Sequence, residues 1–262
     1  MSDVTTERVI LVVGGTSGLG LSGARRLVAS GARVVVTGRE TDEVTAAVTA
    51  LGAQARGVVA DAMEEGSAEQ AVALAVAAFG RLDALYHVAG GSGRRAGDGA
   101  LHELTDEGWD YTLELNLKSV MRSNRAVVRQ FRAQGGGGVI LNMGSVLGWS
   151  PSPEHFASHA YAAAKAGIVG FSRSLAAYYA KENIRVNVIA PGLVASPMSA
   201  RAMEDATIQA FVQKKQPLEG GRAGEVGDLD EAVWFLLSDA SRFVTGQVLA
   251  VDGGWTVSEG RA

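Results

Sequence analysis

Tyr161 and Lys165 stand four residues apart in Tyr161-Ala162-Ala163-Ala164-Lys165, a spacing that sets a phenol and an ammonium side by side on one helix face. A phenol titrates near ~10 when unperturbed, and each unit by which a cation lowers it makes the phenolate ~1.4 kcal/mol easier to form. Such a pair could exchange protons near neutrality, although a Tyr and Lys at this spacing are more often a solvated surface pair. Ser145 follows the apolar run Val139 to Met143, so it adds a hydroxyl at the carboxyl end of a strand, where it can project into a ligand crevice. A second chemistry is written in Val13-Gly14-Gly15-Thr16-Ser17-Gly18-Leu19-Gly20, placed between a strand-like and a helix-like segment. Glycine permits positive φ and close backbone approach, and the N-terminus of the next helix offers free N–H groups with partial positive charge. Position after the first strand makes phosphate binding the expectation over a plain tight turn.

The elements that must position these groups are legible as alternation. Short β-branched runs recur at Arg8 to Val13, Arg33 to Thr37, Gly57 to Ala60, Ala84 to Ala89, Val139 to Met143, Arg185 to Ile189 and Gln247 to Val251, each a candidate buried strand. Ala- and Leu-rich stretches with helical spacing lie between them, among them Leu19 to Ser30, Ser67 to Phe79, Tyr161 to Lys181 and Asp228 to Leu237. The pattern predicts an α/β fold: one Rossmann-type, doubly wound parallel sheet of about seven strands with helices on both faces. No internal repeat or linker interrupts residues 1–262, so a single domain is expected. The run Gly135 to Gly138 reads as a flexible helix-to-strand loop. The weakest secondary-structure signals fall at Gly90 to Gly99, Trp149 to Ala160 and Leu193 to Pro217, all after strands, where loops line the ligand crevice.

On these residues the chain resembles a short-chain dehydrogenase/reductase, and 3-oxoacyl-acyl-carrier reductases in particular, from Val9 to Trp255. Val13 to Gly20 is similar to the family's Thr-Gly-x-x-x-Gly-x-Gly loop, with Val13 in place of threonine. His87-Val88-Ala89-Gly90 stands where the family has Asn-Asn-Ala-Gly. Asn116, Ser145, Tyr161 and Lys165 match its catalytic tetrad, and Gly246-Gln247 with Val251 to Gly254 resembles its C-terminal strand. The resemblance implies interconversion of a carbonyl and a secondary alcohol by hydride transfer with a nicotinamide cofactor. Tyr161 would act as general acid/base and Ser145 would polarise the substrate oxygen. Lys165 would lower the tyrosine pKa and hold the nicotinamide ribose, and Asn116 would support a relay water. It further implies cofactor contacts from Gly14, Thr16, Ser17, Gly18, Leu19 and Gly20, from Asp61 and Ala62 beside the adenine, and from Ala89 and Gly90. Tyr161, Lys165, Pro191, Gly192, Val194 and Ser196 would meet the nicotinamide end. A homotetramer or homodimer built on the helices carrying Asn116 and Tyr161 is implied in the same way.

Strand two ends Val36-Thr37-Gly38-Arg39, with glycine where an acid would bond the adenosine ribose of NAD and a cation beside it. The planar fork of Arg39 suits a 2′-phosphate, so NADP(H) is favoured, with NAD(H) as the alternative. A sensor or scaffold that binds the dinucleotide without turnover is the reading from another class. A 3-oxoacyl-thioester ketoreductase is the alternative among enzymes.

Composition bounds the rest. Hydrophobic residues are 47% and charged residues 20% of 262, near globular averages, so disordered and fibrous classes are excluded. Lys and Arg total 24 against 28 Asp and Glu, a net charge of -4, without the basic excess of nucleic-acid binders. There is no cysteine, which removes disulfides, thiolate nucleophiles and cysteine-held metals. Asp3 and Glu7 precede a first apolar run, Val9 to Val13, too short for a signal-peptide core, and no run reaches ~18 apolar residues. A soluble, cytoplasmic protein acting on a small carbonyl or alcohol is expected, without nucleic-acid or membrane partners. His155 and His159 lie four apart, but Pro151 and Pro153 argue for a loop and no acidic partner is fixed nearby, so no metal is expected. The Ser145-to-Tyr161 segment with Trp149, His155 and Phe156 is expected to shape the substrate pocket. Met198, Met203 and Phe211 stand where the family carries a mobile lid, as substrate contacts or as helix packing. Arg94 and Arg95 could meet an anionic substrate or be solvated, and Lys214-Lys215 and the tail Glu259 to Ala262 read as solvated surface.

Overall fold

The computed structural model describes residues 8–260. Asp3, Glu7 and the end of the C-terminal tail lie outside them. Seven strands form one sheet in the order β3-β2-β1-β4-β5-β6-β7, every neighbouring pair parallel. They are β1 (Val9–Val13), β2 (Arg33–Gly38), β3 (Ala55–Val59), β4 (Ala84–His87), β5 (Gly138–Met143), β6 (Ile184–Pro191) and β7 (Val248–Val251). The helices are α1 (Gly18–Ala29), α2 (Thr41–Leu51), α3 (Ser67–Phe79), α4 (Asp106–Leu113), α5 (Ser119–Gln134), α6 (His159–Tyr179), α7 (Ala200–Glu204), α8 (Ala206–Lys215) and α9 (Asp230–Leu237).

All five residues of β1 are buried, because helices cover both sheet faces and leave no solvated side to demand polar alternation. Side chains of successive residues then divide between two cores. Ile10, Val12, Val34, Val36, Tyr86 and Leu141 pack with Leu27 of α1 and Val233 and Leu236 of α9. Leu11, Val35, Leu85, Ile140 and Val186 pack with Ala71 and Val72 of α3 and Val127 and Phe131 of α5. Each such side chain contributes ~1.5–3 kcal/mol by leaving water.

A polar seam holds α5 and α6 to the sheet. Asn124 and Asn142 exchange hydrogen bonds at 2.9 and 3.0 Å, and Asn142 Nδ2 also donates to Ser172 Oγ at 3.0 Å. Register matters for the site: Val13 pairs with Thr37 and with His87, His87 with Asn142, and Met143 with Ile189. The carboxyl ends of β1, β4, β5 and β6 are therefore level. Strand order reverses between β1 and β4, which opens a crevice at that end.

The stretch 193–217, weak in sequence signal, is largely helical. Helices of five and ten residues are too short to hold themselves. They stand because Asp205 caps α8 through the N–H groups of Thr207 and Ile208 at 2.9 and 3.2 Å. Ala202, Ile208 and Val212 are also buried against Trp255 and Val146. Residues 135–137 all take positive φ between α5 and β5, as expected of the glycine run. Among the described residues, no helix is long and apolar enough to cross a membrane.

Candidate active site

The glycine loop leaves β1 at the switch point and turns into α1. Gly14 has φ 81°, and a Cβ there would lie 2.8 Å from Ala89 N; a Cβ on Gly20 would lie 2.0 Å from Gly14 O. Only glycine lets the loop fold back on its own helix and against the end of β4. Gly18 in turn approaches Ser196 and Pro197, whose side chains would lie 3.9 and 3.8 Å from an added Cβ. Ser17 precedes α1 without capping it by its side chain, and no acid lies in the first turn, so the helix's leading N–H groups face a cradle shaped for an anion. The loops after β1, β4 and β6 thus meet where the sequence predicted a dinucleotide. Their close glycine contacts leave backbone-lined room that any side chain would fill, which fits that group.

At the carboxyl ends of β2 and β3, Ala60 N donates to Gly38 O at 2.8 Å. Asp61 Oδ1 accepts the N–H of Met63 at 2.8 Å, which fixes the turn that carries Ala62. Arg39 is exposed at the end of β2. Thr16 Oγ1 donates to Glu43 Oε2 at 3.3 Å, placing one acid of α2 beside the loop.

Ser145, buried after β5, accepts the N–H of Leu147 at 3.2 Å, and its hydroxyl acts on the Tyr161 phenol to lower its pKa. Burial pushes the Tyr161 pKa up to about 12 against that lowering effect. Lys165 is buried, its Nζ lies 5.4 Å from the centre of the Tyr161 ring, and it donates to Met143 O at 2.9 Å. Burial lowers its pKa to about 8. What governs the Tyr161 pKa here is desolvation of the phenolate, with Ser145 as the opposing influence. Asn116 is buried in a π-helical turn, Glu114–Lys118, that joins α4 to α5, the kind of local widening that often marks function. Its Oδ1 accepts Gly91 N at 3.1 Å, and its Nδ2 donates to the carbonyls of Gly91 and Thr112, both at 2.9 Å. A Cβ on Gly90 would lie 2.8 Å from Asn116 Oδ1 and 3.5 Å from Lys165 Nζ. Gly90 is thus the point where the phenol–lysine side and the asparagine side meet.

His87, the departure from the family's asparagines, is buried with Nε2 3.1 Å from Ala89 O and Nδ1 2.7 Å from Ser123 Oγ. Ala89 O can only accept, so Nε2 carries the proton and the ring spans β4 and α5. Burial, reinforced by the Lys165 charge, lowers its pKa to about 3 and keeps it neutral. An imidazole therefore ties down the end of β4.

The structure also assembles residues that the sequence did not single out. The buried carboxylate of Asp98 accepts the N–H groups of Ala160 and Tyr161, each at 3.0 Å. Trp255, fully buried, donates from Nε1 to Ser150 O at 3.2 Å and meets the edges of Phe156 and Phe211 at 5.8 and 5.6 Å. Aspartate 98 carries no local signal, since its partners lie across the fold. The His155 ring meets Phe211 at 4.7 Å, tilted by 53°, within the segment after β5, whereas His159 opens α6. Trp149 and Met198 are exposed, at 44% and 59%, on the two flanking loops. Pro191 and Val194 are buried, and Gly192 lies against Gln216 and Asp252.

Residues 13–256 match the family model described as enoyl-(acyl carrier protein) reductase. Cis-4-hydroxycyclohexanecarboxylate dehydrogenase of Sinomonas cyclohexanicum is 37% identical over 98% of this chain and 99% of its own length. The 3-oxoacyl-[acyl-carrier-protein] reductase FabG of Escherichia coli (strain K12) is 34% identical over 94% and 96%. Among solved structures, a short-chain type dehydrogenase/reductase from Mycobacterium ulcerans superposes with a TM-score of 0.88 at 34% identity, covering 96% of this chain and 90% of that one.

Proposed function

The chain belongs to the short-chain dehydrogenase/reductase family, and on that premise we propose that Tyr161, Ser145, Lys165 and Asn116 carry its chemistry. It is an oxidoreductase of CH–OH and carbonyl groups that uses a nicotinamide cofactor and a small-molecule substrate. The observation that carries the assignment of residues is the buried Lys165 Nζ 5.4 Å from the centre of the Tyr161 ring and next to Gly90 in the switch-point crevice, with the Ser145 hydroxyl acting on the same phenol.

Gly14, Ser17, Gly18, Leu19 and Gly20 would hold the pyrophosphate on the α1 N-terminus, with Asp61 and Ala62 beside the adenine. Ala89, Gly90, Pro191, Gly192, Val194 and Ser196 would line the nicotinamide end, and Thr16, against Gly38 and Glu43, would lie towards the adenosine side. When bound, the dinucleotide supplies or removes hydride. In reduction, Tyr161 Oη gives its proton to the substrate oxygen as that oxygen gains negative charge, and Ser145 Oγ donates a hydrogen bond to it. Lys165 stabilises the resulting phenolate and Asn116 holds Gly91, so the reacting groups keep their places while the proton is restored. Oxidation runs the same transfers backwards.

NADP(H) is the favoured cofactor because Gly38 stands at the end of β2 where an acid would bond the adenosine ribose of NAD, with the Arg39 guanidinium beside it. One domain would carry both cofactor and substrate loops. A homotetramer or homodimer would use the α4–α6 face, where Trp109 and Tyr111 are 38% and 37% exposed and Leu117, Met121 and Phe171 line one concavity. A cytoplasmic location accords with the absence of cysteine. The test is cofactor oxidation by the purified protein with NADPH and NADH against ketones and 3-oxoacyl thioesters, beside Tyr161→Phe. Turnover lost in the variant supports the reading. Tight dinucleotide binding with no turnover of any ketone favours a silent sensor.

A further inference from the structure

Arg94 and Arg201 reach one backbone oxygen from opposite sides. Arg94 lies in a short helical turn, Arg94–Ala96, in the loop after β4; Arg201 lies in α7, after β6. Their guanidinium groups donate to His155 O at 3.4 and 3.2 Å respectively. His155 belongs to the loop after β5 that runs into Tyr161, so the two cations flank the segment leading to the catalytic tyrosine. Three neighbouring strands, β4, β5 and β6, supply them all from the same end of the sheet.

Two like charges sharing one neutral carbonyl repel each other, and the carbonyl can engage only part of their ten N–H donors. Both arginines are exposed; partial desolvation and then the charge of Arg201 lower the pKa of Arg94 against the opposing charge of Asp98. The charge of Asp98 acts on Arg94 and offsets part of this repulsion, but neither acid nearby pairs with either arginine. Both Asp98 oxygens are engaged by the N–H groups of Ala160 and Tyr161. Glu154 is 87% exposed and lies 3.9 Å from the His155 ring. Among the described residues neither arginine forms an ion pair, whereas Arg8, Arg26, Arg122, Arg132 and Arg222 each do. Forked donors left without an anion beside a reaction site match the geometry of carboxylate or phosphate oxygens.

We infer that Arg94 and Arg201 together bind an anionic oxygen group of the substrate, distant from the carbon that is oxidised or reduced. This rests on the reductase reading above and adds the substrate class: a ketone or secondary alcohol that also carries a carboxylate or phosphate. Phe156, Phe211 and Trp255, packed next to His155, would offer an apolar wall between the two ends.

The experiment compares steady-state reduction of 5-oxohexanoate, its methyl ester and acetoacetyl-coenzyme A by the wild type, Arg94→Gln, Arg201→Gln, the double variant and Arg95→Gln. The free acid should show a KM lower than its ester by about tenfold or more. The double variant should raise the KM for the acid by ~10- to ~100-fold with kcat little changed and the ester unaffected. Arg94→Lys and Arg201→Lys, which keep charge but not the fork, should lose part of this, and Arg95→Gln none. A KM effect confined to the coenzyme A thioester would identify phosphate as the anion. Ester and acid reduced equally well with no KM effect of the double variant on the coenzyme A thioester, or the same penalty on ester and acid in the double variant, overturns the inference while leaving the reductase reading intact. Should none of the three be reduced, thermal melting of the dinucleotide complex with added benzoate decides. A rise in midpoint that the double variant abolishes supports the site, and no rise in the wild type overturns it.

Discussion

The carboxylate of Asp98 accepts the backbone N–H of Tyr161 at 3.0 Å, across a sequence separation of 63 residues. Its other oxygen takes Ala160 N at the same distance. The α6 N-cap residue, Ser158, makes no capping hydrogen bond from its side chain, and the first turn has no acid, so this long helix borrows its cap from the loop after β4. That borrowed cap fixes the height and rotation of the helix that bears both Tyr161 and Lys165.

Asp98→Ala should therefore cost about 1–2 kcal/mol of stability, the usual worth of an N-cap, and lower kcat about tenfold or more by loosening Tyr161 against Ser145. Asp98→Asn, which keeps one acceptor, should fall between. Urea unfolding and kcat/KM on the same preparations check this. Stability lost at unchanged kcat would confine Asp98 to a purely structural role.

Burial and Ser145 act on Tyr161 in opposite directions, and oxidation needs the phenolate at the start whereas reduction needs the phenol. Alcohol oxidation should climb with pH through the alkaline range, and carbonyl reduction should hold across neutrality and fall only at the alkaline end. Ser145→Ala should move the oxidation limb to higher pH and cut kcat by ~10²–10³-fold. Both follow from kcat/KM profiles measured in each direction.

His87 is neutral when folded, with a pKa lowered to about 3 from 6.5. In the window between those values the unfolded chain takes up a proton that the native state refuses. Stability is full above pH 6.5 and is lost as pH falls toward 3, on the order of 1.4 kcal/mol per unit from this one group. His87→Asn should flatten that acid slope. Denaturant midpoints at a series of pH values would show it, and parallel slopes in the two proteins would contradict it.

Arg39 is exposed at the end of β2 beside Gly38. Arg39→Asp should raise the KM for NADPH by ~10- to ~100-fold, through loss of a forked donor and gain of a repelling charge, and leave or lower that for NADH. Equal cofactor preference before and after would return the adenosine end to NAD(H).

Sequence alone determined the central strands, because a sheet covered on both faces turns β1, β4, β5 and β6 into apolar runs that neighbouring residues suffice to write, whereas the half-exposed edge strand β3 starts two residues earlier than its run suggests. Sequence likewise determined the glycine loop and the Tyr161–Lys165 face, since a tight turn and an i,i+4 pair are local objects. Only the tertiary structure decided what surrounds them. The partners of Asp98, the shared target of Arg94 and Arg201, the tautomer of His87 and the rise of the Tyr161 pKa all depend on which distant groups the fold brings near and how much water it leaves there. The helical state of 200–215 was decided in the same way: these helices are too short to stand on propensity, and burial against Trp255 supplies what their own residues cannot.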